Sequence, residues 1–359
     1  MINVLYISNQ RDFLGGAERS LFELITNIDK EQVTPYFASS QDGELCSAIK
    51  DLGIEVLQLK PFHIRKPAPI VPITADLISF IRKNKIQIIH NNQCVDSYYS
   101  WLAGKITRTP IINHLRDTQY YRLDRFLIKH VDCNICISND LYNRFSASNV
   151  ALIHNGIRLD QFLLDHRPNR DGQEIVRVGL VGRIAPQKGQ DTFIKAAKLV
   201  LDACQNVRFE IYGDINSETS LEYKKQLRSL PEELNISEFV KFMGYAHNVA
   251  NALNNLHISV VPSLREPFGR VVIESMASYL PVIGTRVGGI PDIITNETGV
   301  LVEPNNPSAL AEAILFLVEN PSIRRKMGEA GRVRVEEYFT IDKVVSKIMT
   351  LYKDLSQSH

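Results

Sequence analysis

The 359 residues are 44% hydrophobic and 23% charged, with a formal net charge of +1, the composition of globular chain with room for two domains. So balanced a charge gives no field to hold nucleic acid by its phosphates, and no apolar run reaches the ~18 residues of a membrane helix. Five cysteines in so long a chain predict reduced thiols in a cytosolic compartment.

At the N-terminus, "INVLYIS" reads as a strand. It lacks the basic flank and small-residue cleavage site of a secretory leader, so a cytoplasmic protein is expected, soluble or peripheral on the inner face of the membrane. A polar loop follows, ending on Gly15 and Gly16, and then Leu21, Leu24, Ile25 and Ile28 repeat at helical spacing. Two glycines directly before a helix let backbone approach an anion or a sugar. Further along, "IQIIH", "TPIINHL", "CNICIS" and "VALIHNG" are short apolar runs ended by polar residues or glycine, as in a parallel sheet covered by helices. Cys133 and Cys136, three apart in such a strand, point to opposite faces and share neither a metal nor a disulfide.

Two stretches of this half carry basic and aromatic residues together: "KPFHIRKPAP" (60–69) and "YYRLDRFLIKH" (120–130). As a helix, the second sets Arg122, Arg125 and Lys129 beside Leu123, Phe126 and Leu127. That pattern suits either an interface with anionic lipid or ordinary packing of an amphipathic helix on a sheet.

The polar stretch "LDHRPNRDGQE" (164–174) reads as a linker, dividing the chain into domains 1–166 and 167–340. Strand signals then restart with "VRVGLVG", "VRFEIYG", "EFVKFMG", "HISVVPS" and "PVIGT". The closing amphipathic segment, about 341–359, is expected to pack back on the first domain. The fold class predicted is α/β, two doubly wound domains in series facing each other across a cleft, with ligands at the strand C-terminal ends.

The chemistry concentrates in the second half. "HISVVPS" ends a strand, "LREPFG" is a loop, and "RVVIESMASYL" reads as a helix whose first turn follows Gly269. The N–H groups and positive dipole end of that helix suit phosphate. Glu274, a little over one turn in, is placed to accept hydrogen bonds from vicinal hydroxyls of a ribose, and Glu266 to do so for a sugar beyond the phosphates. Upstream, Arg183 and Lys188 lie on the loop after another strand, two cations that complement a pyrophosphate. There is no GxGxxG fingerprint and no GxxxxGK[ST] phosphate loop.

Taken in order, "GGAER", "NHLRD", "NGI", "VGRIAPQKG", "REPFGRVVIESMAS" and "PVIGTRVGGIPDII" resemble the family four glycosyltransferases, retaining enzymes of the GT-B fold. The likeness spans essentially the whole chain and is strongest over 178–305. It implies transfer of a sugar from a nucleotide diphosphate sugar, a UDP-sugar ahead of GDP-mannose, to an acceptor hydroxyl on a glycan, a lipid-linked molecule or a small molecule. Glu274 would bind the donor ribose, with Glu266 beside the transferred sugar. Phe268 and Gly269 would offer backbone amides, and Arg183 and Lys188 would neutralise the departing phosphate. Gly15 and Gly16 would close over the diphosphate, and His114 matches the active-site histidine near the sugar. Phe242 to Tyr245, after a strand, would lie near the base. With no Asp-x-Asp motif, neither a metal nor a cofactor is expected. A nucleotide-sugar epimerase, a phosphorylase and a non-catalytic nucleotide-sugar-binding subunit share the same frame. Tyr279 departs from the family's usual glycine. Arg270 departs from its usual small or apolar residue, as a further phosphate contact or as a surface side chain.

Overall fold

The computed structural model describes residues 1–13, 15–61, 70–145, 149–162, 175–215 and 221–357. The expected linker (164–174) and most of the basic loop at 60–69 lie outside the described residues. The chain divides into two units, each described by itself: Met1–Gly156 with Ile341–His359, and Ile157–Thr340. The division falls ahead of the boundary expected at residue 166.

The first unit holds a parallel sheet of seven strands: β1 (Ile2–Ile7), β2 (Val33–Ser39), β3 (Val56–Gln58), β4 (Ile88–Asn91), β5 (Ile111–Leu115), β6 (Cys133–Cys136) and β7 (Val150–Leu152). Their order is β3-β2-β1-β4-β5-β6-β7. The second unit has β8 (Val176–Val181), β9 (Val207–Tyr212), β10 (Val240–Gly244), β11 (Ile258–Val261), β12 (Val282–Thr285) and β13 (Gly299–Val302), in the order β10-β9-β8-β11-β12-β13. Both are doubly wound, Rossmann-like sheets. Strand order reverses beside β1 in one and beside β8 in the other, and such switch points open a crevice at the strand C-terminal ends.

Side-chain alternation along β1 builds two core layers. Val4 and Tyr6 join the cluster of the helices Gly16–Asn27 and Ile341–Gln357. Leu5 and Ile7 join that of Ile70–Lys83 and Ser97–Thr107. The closing helix belongs to the first unit, burying Val345, Ile348, Met349 and Tyr352 at helical spacing against β1 and β4. Each such burial is worth about 1.5–3 kcal/mol.

Strands β2, β3 and β13 were not anticipated. In β2 the obstacle is Pro35, which cannot donate to a ladder. The Phe37 N–H points to β3, donating to the Glu55 carbonyl at 3.0 Å. Two residues earlier, Pro35 faces the same side, and β3 pairs only from Phe37 onward. The missing donor therefore faces no partner strand. The run expected after a strand at 242–245 is corrected as well: Phe242 to Gly244 belong to β10, and only Tyr245 follows it.

All five cysteines are free thiols. Cys133 and Cys136 are buried in β6, and burial raises each thiol to about 12, which keeps both protonated and unreactive. Tyr279 adopts φ +59°, a left-handed conformation that glycine enters without strain. Its ring is covered by the Arg332 guanidinium, 5.4 Å from the ring centroid. No helix among the described residues is long and apolar enough to cross a membrane.

Candidate active site

In the second unit the loops after β8 and β11 meet at the switch point. Backbone ties them, Leu264 N–H donating to the Gln187 carbonyl at 2.8 Å, and the Gln190 side chain closes the first loop on itself, its Nε2 donating to the Arg183 carbonyl at 2.9 Å. Gly189, at φ +69°, packs so close that a Cβ there would lie 2.1 Å from the Pro262 carbonyl oxygen. Across this joint Lys188 Nζ meets Glu266 Oε2 at 2.5 Å. Arg183 lies half-buried on the first of these loops.

The helix Arg270–Ala277 starts immediately after the second loop. Its N-cap Gly269, at φ 104°, brings no side-chain cap, and the Val272 N–H donates to the Gly269 carbonyl at 2.9 Å, so no capping side chain competes with an anion at this helix start. Arg270 Nε donates to Glu274 Oε1 at 2.7 Å, one turn apart, with side chains 11% and 9% exposed. Arg270 is therefore not the surface side chain of the second alternative. Both glutamates are also buried, Glu266 to 8% and Glu274 to 7% exposure, whereas a glutamate on a loop or helix is ordinarily solvated. The Phe268 ring is buried against Phe339 at 6.1 Å, leaving its main chain as the part able to face a ligand.

Gly288 and Gly289, quoted in the sequence but given no role, hold this loop in place. Gly289 N–H donates to the Glu266 carbonyl at 3.2 Å. At Gly288, φ +51°, a Cβ would stand 1.8 Å from that same oxygen. Tyr245 is 46% exposed, edge-on to His247 at 5.0 Å. Its strand end is tied to the neighbouring one by Gly213 N–H donating to the Gly244 carbonyl at 2.7 Å.

In the first unit Gly15 is the N-cap and Gly16 the first residue of the helix Gly16–Asn27. The carboxylate of Glu18, buried in the first turn, comes so near that a Cβ on Gly15 would lie 2.5 Å from its Oε2. His114, the penultimate residue of β5, is only 2% exposed, in a buried chain of polar groups. Arg116 Nη2 lies 3.2 Å from His114 Nδ1. A guanidinium only donates, so this nitrogen accepts and the His114 proton sits on Nε2. The same Nδ1 is 2.9 Å from His90 Nε2, which must then donate. His90 Nδ1 in turn lies 2.5 Å from the Tyr352 hydroxyl, which is 3.1 Å from the Tyr6 hydroxyl. Arg116 is held in turn by the Asn155 side chain at 2.7 Å and the Asn92 carbonyl at 3.1 Å.

His90 and Tyr352 escaped notice in the sequence. A histidine closing the apolar run "IQIIH", with another closing the run "IINH" of the neighbouring strand, was the available signal. Tyr352 comes from the far end of the chain.

Burial, and then the Arg116 charge, lowers His90 to about 3. The same causes, joined by His90, hold His114 well below its ordinary value. Both rings are neutral at pH 7. Because the unfolded chain binds these protons near pH 6.5 and the folded chain does not, their stabilising contribution is complete above pH 6.5 and fades as pH falls toward 3. Chemical denaturation between pH 6.5 and 5 should show wild type losing more stability than His90→Gln, the extra slope rising from about 0.7 kcal/mol per pH unit at pH 6.5 toward ~1.4 at pH 5. Identical slopes would contradict a neutral buried His90. The comparison cancels the titrating groups that do not touch His90.

Also in this unit, a cavity of about 390 Å³ is lined by residues including Tyr98, Asp117, Tyr120, Tyr121 and Asp124. Among the described residues no group of three or more His, Cys, Asp or Glu is disposed to hold a metal.

Residues 14–161 match the family model described as Glycosyltransferase Family 4, and residues 165–334 that of Glycosyl transferases group 1. A capsular polysaccharide biosynthesis glycosyltransferase, CapM, from Staphylococcus aureus is 26% identical over 82% of this chain and 77% of its own length. A D-inositol 3-phosphate glycosyltransferase from Corynebacterium glutamicum is 26% identical over 95% and 92%. Among solved structures, Anabaena HepE in complex with UDP and glucose superposes with a TM-score of 0.85 at 20% identity, over 98% of this chain and 100% of HepE.

Proposed function

The chain belongs to the family 4 glycosyltransferases of the GT-B fold, and from that premise we propose that it transfers a sugar from a UDP-sugar, with retention and without a divalent ion. The observation that carries this reading is the pairing of Lys188 with Glu266 and of Arg270 with Glu274 around the uncapped start of one helix. Negative charge develops on the departing diphosphate, and preorganised cations and amides lower the barrier most at that oxygen. Lys188 and Arg183 are assigned to that oxygen. The first-turn N–H groups after Gly269 hold the phosphates, with Arg270 bordering them.

Glu274 accepts from the ribose hydroxyls and Glu266 from those of the transferred sugar. Each carboxylate is already oriented by its cation. Resemblance assigns Gly15 and Gly16 to the diphosphate, Tyr245 to the neighbourhood of the base and His114 to the sugar. Neutral, with its proton on Nε2, His114 acts as a hydrogen-bond donor rather than as a general base. UDP is favoured because a neighbour of the same fold was solved with UDP-glucose. The acceptor is a hydroxyl-bearing glycan, lipid-linked molecule or small molecule.

The test is a screen of UDP-glucose, UDP-GlcNAc, UDP-galactose and GDP-mannose with EDTA present, following release of nucleoside diphosphate. One donor should be consumed by wild type and at least tenfold less by Glu274→Ala. Consumption that stops with EDTA overturns the metal-independent reading. Donor that raises the melting temperature but is never consumed, even with glycan and lipid acceptors added, makes the chain a binding subunit.

A further inference from the structure

On the helix Arg122–His130 only Asp124, Leu127 and Ile128 are buried, and the remaining side chains face outward. At 100° per residue, Arg125, Lys129 and Arg122 take one flank of that outward arc and Phe126, His130 and Leu123 the other. The apolar members are well exposed: Phe126 is 44%, Leu123 43% and the preceding Tyr121 74% accessible. The helix Ser97–Thr107 continues the surface with Leu102 at 41% and Ile106 at 50%, Lys105 lying between them in sequence. Trp101 joins the two helices. Its ring is 5.6 Å from Phe126, and its indole N–H donates to the His130 carbonyl at 3.4 Å.

The charges are unbalanced. Arg122, Arg125 and Lys129 make no ion pair with the described residues, and the nearest carboxylate of Lys105 is Asp132, at 4.0 Å. Asp124 is buried beneath the helix, engaged by the Tyr98 hydroxyl and the Tyr121 N–H, and Asp117 is on the loop before it.

We propose that this face docks on a bilayer carrying anionic lipid. Tyr121, Leu123 and Phe126 enter the interfacial layer, while Arg122, Arg125 and Lys129 meet headgroup phosphates with their stems lying along the apolar boundary. A cationic flank running alongside an aromatic and aliphatic one is what that boundary selects. Nucleic acid would reward the charges without the exposed Leu123, Leu102 and Ile106. A second copy seated across a two-fold axis would bring the same unpaired cations toward one another. The proposal stands on the surface alone and is independent of the donor chemistry.

The test uses the full chain with phosphatidylcholine vesicles, with and without phosphatidylglycerol, by co-sedimentation at moderate salt. Wild type should sediment with the anionic vesicles only. Charge reversal in R122E/R125E/K129E should weaken the partition on the order of a hundredfold or more, and L123S/F126S at least tenfold. The single tryptophan of the chain, Trp101, gives a second readout without mutation: its emission should shift to the blue with anionic vesicles. No sedimentation and no shift would overturn the proposal. So would a partition that L123S/F126S leaves intact, since contact would then be electrostatic without insertion. A wild-type dimer that L123S/F126S converts to monomer, with no vesicle binding, would replace the bilayer with a second copy.

Discussion

Lys188→Ala is expected to lower donor consumption by about two to three orders of magnitude, the loss typical when one preorganised charge-stabilising group is removed from a reacting oxygen. The same change leaves Glu266, only 8% exposed, without the cation that holds it. A buried carboxylate losing its partner costs about 1–3 kcal/mol, so stability should fall as well. The double variant Lys188→Ala/Glu266→Ala separates the two effects. It should recover most of the stability and none of the turnover. If turnover returned with stability, neither Lys188 nor Glu266 would be a contact of the donor.

Gly288→Ala should lower the melting temperature of the second unit by roughly 10 °C, taking ~3 kcal/mol at 2–4 °C each for a unit of this size. The cost has two sources. At φ +51° any side chain pays for the left-handed conformation, about 1–2 kcal/mol. The new Cβ also meets the Glu266 carbonyl oxygen at 1.8 Å, an overlap that displaces backbone at about 1–3 kcal/mol. Gly244→Ala is the control, because at φ +79° a Cβ there meets nothing within 4 Å. It should pay the conformational part alone. Donor consumption should follow Gly288→Ala downward, since the loop that moves carries Glu266. Equal melting temperatures for the two variants would show that the Gly288 contact is not tight in solution.

Much of the second unit was legible because its signals are local. A strand, a glycine and a helix start are consecutive in "HISVVPS", "LREPFG" and "RVVIES", and the structure keeps them so: β11 ends at Val261, Gly269 caps, and the helix begins at Arg270. The pairings were less accessible. Nothing in the spacing of Lys188 and Glu266, 78 residues apart, says that they touch. They meet because β8 and β11 are neighbours at the point where strand order reverses.

The residues themselves determined the α/β class, the likeness to family four, and the placement of Arg183, Lys188, Glu266 and Glu274 on strand ends and a helix start. The class and the placements follow from periodicity, from glycine's freedom and from short-range patterns, and the likeness from the ordered set of motifs. Tertiary structure alone decided the rest. It passed the buried hydrogen bonds of His114 through His90 to Tyr352, 262 residues beyond His90 in the chain. It gave Pro35 a side of β2 where no donor is needed, and it placed Gly288 against the Glu266 carbonyl. Each of these depends on which strands and helices become neighbours. Burial of apolar surface summed over a whole unit sets that neighbourhood, and no local pattern records it.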